Sequence, residues 1–160
     1  MLNVWTLVQK RHPEWILNVY GNGKLKPTFE NLLAEKNLNV VIHPAVPDIM
    51  EKYKESSMLL MTSLYEPFGL VLVEAMSCGL PVVAFNCPYG PADIINDGTD
   101  GFLVEDRNVK AFAGRVCQLM EDDNLCQRMG KAAILSAQRY RPEIIMPLWN
   151  QLFTNLSNSK

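Results

Sequence analysis

At 160 residues, 48% of them hydrophobic and 20% charged, the chain suits one domain with a sizeable core and is too apolar for disorder. A net charge of −2 argues against a broad electrostatic grip on nucleic acid, leaving room only for a local basic site on a phosphorylated small molecule. The four cysteines form no CxxC pair, and only His12 and His43 could assist them, so they read as small hydrophobes in a reducing compartment rather than metal ligands or disulfides.

Residues 2–12 carry Val4, Leu7, Val8 and Arg11 on one helical face, with neither a capping residue nor a strand before them. WILNVYG (15–21) reads as a strand, and Leu25, Phe29, Leu32 and Leu33 then recur at helix spacing, with Pro27 tolerable in the first turn. NVVIHP (39–44) is a second strand, and Asp48 caps a short helix running to Tyr53. SMLLMTS (57–63) and PVVAF (81–85) are further strands, separated by a helix from Gly69 to Cys78 that Gly79 ends. Pro91 opens a short helical turn, two Asp-Gly pairs close it, and GFLV (101–104) is a short fifth strand.

After residue 106 only helical patterns remain: Val109, Phe112, Val116, Leu119 and Met120 stripe one helix, and residues 123–140 form another. Ile144, Ile145, Leu148, Trp149, Leu152 and Phe153 stripe a terminal helix beginning at Pro142. Apolar strands without strict alternation, each followed by a helix, imply an α/β, Rossmann-like, doubly wound parallel sheet with a helical C-terminus. Residues 1–160 are expected to form a single domain. A helix without a preceding strand suggests a first strand lying upstream of residue 1. No signal peptide is seen, since MLNVWTLV runs straight into Gln9, Lys10 and Arg11. The stretch from Gly69 to Phe85 is broken by Glu74 and Gly79-Leu80-Pro81, so a spanning helix is not expected, and the reading is cytoplasmic.

The chemistry concentrates in EPFGLVLVEAMSCGLP (66–81). Ligands of open parallel sheets bind beyond the carboxyl ends of the strands, where Glu66 falls. Pro67, Phe68 and Gly69 lead into a helix whose first amides and dipole favour an anion such as phosphate. Glu74, about one turn into that helix, stands among Leu70, Val71, Leu72, Val73, Ala75 and Met76, so a buried position is expected. A buried carboxylate needs several hydrogen bonds, from a ribose diol or from loop amides, a lysine or an arginine. Glu66 taken alone could equally be a solvated loop acid, and GNGK (21–24) matches no phosphate-binding fingerprint and reads as a turn. There is no Asp-x-Asp pair to hold a divalent metal, and no Ser-His-Asp or Cys-His arrangement.

Two glutamates with seven residues between them, followed by GLPVV, resemble the C-terminal donor-binding domain of family 4 (group 1) retaining glycosyltransferases of the GT-B fold. The ordered set YGNGKLK, NVVIHPAV, YKESSMLLMTS and CPYGPADIINDGTDGFLV extends that likeness over almost the whole chain. The resemblance implies that Glu74 binds the ribose of a nucleoside-diphosphate sugar and that Glu66 is catalytic and contacts the transferred sugar. Backbone amides around Phe68, Gly69 and Leu70 would face the sugar and diphosphate, and Ala45 and Val46 would touch the base. It further implies no metal or other cofactor and no nucleic-acid partner. An N-terminal acceptor domain, and an arginine and lysine that clamp the diphosphate, would lie outside this chain; Lys24 and Lys26 do not occupy the clamp positions. The chain is thus expected to be the donor half of a hexosyltransferase building a polysaccharide or glycolipid, inactive alone, with possible peripheral membrane association of the parent enzyme. The competing readings are an epimerase or phosphorylase of GT-B fold, and a non-catalytic flavodoxin-like binding module.

Overall fold

The computed structural model of the protein describes residues 1–158. Five short strands form in the expected places: β1 (Leu17–Tyr20), β2 (Val40–His43), β3 (Leu59–Met61), β4 (Val82–Asn86) and β5 (Gly101–Glu105). All strand pairs are parallel, but they fall into two sheets, β1-β2 and β3-β4-β5. The centre of the larger sheet is β4. Its Val83 and Phe85 join one buried cluster while Val82 and Ala84 join the other, so helices cover both faces and the domain is doubly wound.

The first cluster is closed by α1 (Leu2–Gln9) and α6 (Val109–Glu121), through Val4, Trp5, Val8, Phe112 and Val116. Helix α1 ends three residues short of the expected 2–12 span, and Arg11 leaves the apolar face to pair with Glu121 at 2.6 Å. The second cluster is closed by α3 (Ile49–Lys54), α4 (Leu70–Ser77), α5 (Pro91–Ile94) and α7 (Asp123–Ala137), with the last turn before Arg141 wound as a 3-10 helix. Local signals act as expected: the Asp48 carboxylate accepts from the Met50 amide at 3.0 Å, and Asp122 accepts from Leu125 at 2.8 Å. Cys87 and Cys117 are buried, whereas Cys78 and Cys126 are half-buried, more open than the sequence suggested; all four are free thiols.

An opening lies beside β1, because β1 and β3 do not pair. The Leu17 and Gly21 amides bond to the carbonyls of Asn39 and His43, so in a parallel ladder the backbone of Asn18 and Tyr20 turns away from β2. Likewise the Leu59 amide bonds to Pro81, which turns Leu60 away from β4. Both free edges face one cavity of about 800 Å³. The apolar stripe of α2 (Lys26–Lys36) buries none of its residues; Leu25, Phe29 and Leu33 line this cavity. Helix α1 ties the two sheets together, since Trp5 Nε1 donates to the Asn39 carbonyl at 3.0 Å and Gln9 Oε1 accepts from the Asn39 amide.

The terminal helix α8 (Pro142–Asn158) has no buried residue, and Leu148, Trp149, Leu152 and Phe153 are exposed. Its sequence stripe is a true helical face that stays exposed among the described residues. Among the described residues no helix is long and apolar enough to cross a membrane.

Candidate functional site

Glu66 lies in the loop after β3, at the carboxyl end of the sheet, and is half-buried. Gly69 makes the next turn with φ +98°, which a side chain would strain; a Cβ there would stand 3.2 Å from Leu72 Cδ1 and 3.4 Å from Glu66 Cγ. Phe68 packs edge-on against Tyr140, ring centres 5.4 Å apart, which fixes the loop to the 3-10 turn. From the other side the loop 87–90 presses in. Gly90 comes so close that any side chain would overlap the Phe68 carbonyl, and its Cβ would lie 2.8 Å from the Glu66 carbonyl oxygen.

The Leu72 amide closes onto the Gly69 carbonyl at 2.9 Å. The amides of Leu70 and Val71 precede that first closure and project from the positive end of α4, beside Glu66. Leu70 is 66% exposed and Phe68 40%, so the start of α4 lies at the surface.

Glu74 departs from expectation. It is half-buried rather than buried, because α4 meets the cavity between the sheets on one side. Its partner is neither a loop amide nor a cation but the phenol of Tyr53, which donates to Oε2 at 3.2 Å. Burial, then the neighbouring Glu74 charge, pushes the Tyr53 hydroxyl up to about 12, so it stays protonated as a donor at any physiological pH. Glu74 lines the cavity together with Gly21, Asn22, Gly23, Thr62 and Ser63. Gly21, Asn22 and Gly23 of the GNGK turn thus share a cavity with the carboxylate, a juxtaposition of the first strand's end with α4 that the sequence did not reveal.

Ala45 and Val46 are not among the described residues lining that cavity, although Ala45 joins its rim through a 3.4 Å hydrogen bond from its amide to Asn22 Oδ1. Lys26 reaches the cavity but also stands 3.9 Å from Glu30. Among the described residues no three His, Cys, Asp or Glu side chains gather as a metal would require. Tyr53, Thr62 and Ser63 escaped the sequence reading. Tyr53 could have been found from its spacing with Ile49 and Met50 on the inner face of a capped helix.

This geometry has a parallel in known proteins. The model of the glycosyl transferases group 1 family matches residues 1–136. The chain belongs to that family. It is 32% identical over 158 residues to a poly(ribitol-phosphate) alpha-N-acetylglucosaminyltransferase of Staphylococcus aureus, covering 97% of this chain and 32% of that protein. A TarM variant of S. aureus, crystallised with fondaparinux, alpha-GlcNAc-glycerol and UDP, superposes with a TM-score of 0.91 at 32% identity, over 95% of this chain and 31% of that one. In fold alone, the C-terminal domain of the group 1 family protein LpcC of Francisella tularensis is also similar, at TM-score 0.76 and 22% identity over 86% of this chain and 75% of that one. The chain thus spans about a third of the length of the S. aureus relatives. Its Rossmann-like architecture is that of a GT-B C-terminal domain.

Proposed function

We propose that this chain is the donor-binding half of a retaining glycosyltransferase that moves a sugar from a nucleoside diphosphate to a glycan or lipid-linked acceptor. The observation that carries the reading is the shared cavity of Glu74 and the Gly21–Gly23 turn, with Glu66 and the free α4 amides at the same end of the sheet. In this reading Glu74 accepts hydrogen bonds from the ribose hydroxyls, and the base lies toward Ala45 and Val46. The diphosphate meets the amides around Phe68, Gly69 and Leu70, whose partial positive charge stabilises the leaving group as the anomeric bond breaks. Glu66 orients the transferred sugar. The acceptor site and further cations for the diphosphate belong to another part of the same enzyme, consistent with a chain a third as long as its relatives. No metal is required, and the parent enzyme works at the cytoplasmic face of a membrane or free in the cytoplasm.

Titrating nucleoside diphosphates, NAD and acetyl phosphate into the full-length protein tests this. Saturable binding of a nucleoside diphosphate alone is expected. Preferential binding of NAD, or phosphorylation by acetyl phosphate, would replace the transferase reading with a dehydrogenase-like or signalling one.

A further inference from the structure

Among the described residues the Glu74 carboxylate has one hydrogen-bond partner, and that partner comes from another helix. Tyr53 lies in the last turn of α3, which Asp48 caps and which packs its inner face onto α4. Its ring is 8% exposed, enclosed in the same cluster as Met61, Leu72, Ala75 and Met76, so the phenol cannot swing away without opening the core. Cys78, also beside Tyr53, directs its thiol at the Met50 carbonyl, 3.8 Å away, and does not compete for the phenol.

Toward an ionised carboxylate a phenol can only donate, and it takes one of about four lone-pair positions. Glu74 itself lines the cavity that Gly21, Asn22 and Gly23 share. We propose that Tyr53 is a positioning residue: it holds the Glu74 carboxylate in the orientation that accepts the two hydroxyls of a ribose diol. This rests on the donor-binding reading above. A glutamate on an exposed helical turn samples several rotamers, and fixing one through a buried donor removes that entropy from the binding step. At 3.2 Å the bond is long for O–H···O, so its effect belongs at the lower end of the usual range.

The test is calorimetry on the full-length protein with UDP and with 2′,3′-dideoxyuridine diphosphate, for wild type, Tyr53→Phe and Glu74→Gln. Phenylalanine keeps the buried ring, and a thermal melt checks that the fold survives. Tyr53→Phe is expected to weaken UDP about threefold while leaving the dideoxy ligand unchanged. Equal weakening of both ligands would make Tyr53 merely structural. If Glu74→Gln discriminates between the two ligands and Tyr53→Phe does not, only the positioning role fails. If Glu74→Gln itself does not discriminate, the ribose assignment fails.

Discussion

Gly90 touches the Phe68 carbonyl so closely that no side chain could stand between them. With φ at +26° its backbone is also one that other residues rarely adopt. The two loops that follow β3 and β4 are therefore braced against each other through bare backbone, and the position of Glu66 depends on that brace. Gly90→Ala is expected to lower stability by about 1–3 kcal/mol and to release the Glu66 loop. A chemical melt with limited proteolysis at residues 64–69 checks both effects; an unchanged melt and cleavage pattern would mean the loops are not coupled.

A second close approach decides between opposing terms. Gly130 lies inside α7, where alanine would ordinarily gain about 1 kcal/mol of helix propensity. Any Cβ there would overlap the Gly79 carbonyl at the end of α4. Overpacking of about 1–3 kcal/mol outweighs the propensity gain, so Gly130→Ala should destabilise the protein despite sitting in a helix. A raised melting temperature would show that α7 can slide.

Asp100 is fully buried and accepts from the Asn96 amide at 2.8 Å, Asn96 Nδ2 at 2.6 Å and Ser136 Oγ at 2.6 Å. It links the turn before β5 to α7. Asp100→Ala leaves those donors unsatisfied and should cost about 3 kcal/mol or more, whereas Ser136→Ala should cost about 1 kcal/mol. Equal, small losses in denaturant melts would mean that water replaces the carboxylate.

The raised Tyr53 hydroxyl gives a stability signature at high pH. The folded protein holds this proton up to about pH 12, while an unfolded tyrosine loses it near 10. The unfolded state thus binds fewer protons between those values, so the contribution is complete below about pH 10 and is lost as pH rises through 12. Absorbance titration at the tyrosinate band should show one late-titrating tyrosine, absent in Tyr53→Phe. A wild-type protein in which every tyrosine titrates near 10 would contradict the buried bond.

The free edges of β1 and β3 carry their own expectation. The amides of Asn18, Tyr20 and Leu60 turn away from the paired strands toward the cavity, whereas β4 is paired on both sides. Hydrogen exchange should therefore be fast at those three positions and slow at Val83 and Ala84. Such edges also recruit strands, so self-association at high concentration is expected. Slow exchange at Asn18 and Leu60 in dilute protein would mean that the two sheets pair in solution.

The strands were legible because each is a brief apolar run bounded by turn residues, and β4 reads as apolar from Val82 to Phe85 because both its faces are covered. Asp48, Gly79, Pro91 and Pro142 marked helix ends through local backbone chemistry, which sequence carries directly. Glu66, Gly69 and Glu74 were legible as a spaced set. The Tyr53–Glu74 bond was not, since its partners stand 21 residues apart and Tyr53 looks like any core aromatic on a helical stripe. Nothing in the sequence sets Gly90 apart, and only the approach of another loop reveals why nothing larger fits. The depth of Glu74 was misjudged because its apolar neighbours suggested full enclosure, while the open side of α4 depends on β1 and β3 standing apart.

The central claim is that Glu74 is a ligand-binding carboxylate. Calorimetric titration of a nucleoside diphosphate into the full-length protein and its Glu74→Gln variant tests it most directly, with thermal melts confirming that both are folded. Binding to the variant is expected to be weaker by about 1.5–3 kcal/mol, the scale of hydrogen bonds to a charged group. Unchanged affinity in a folded variant would contradict it and leave Glu74 as a structural partner of Tyr53.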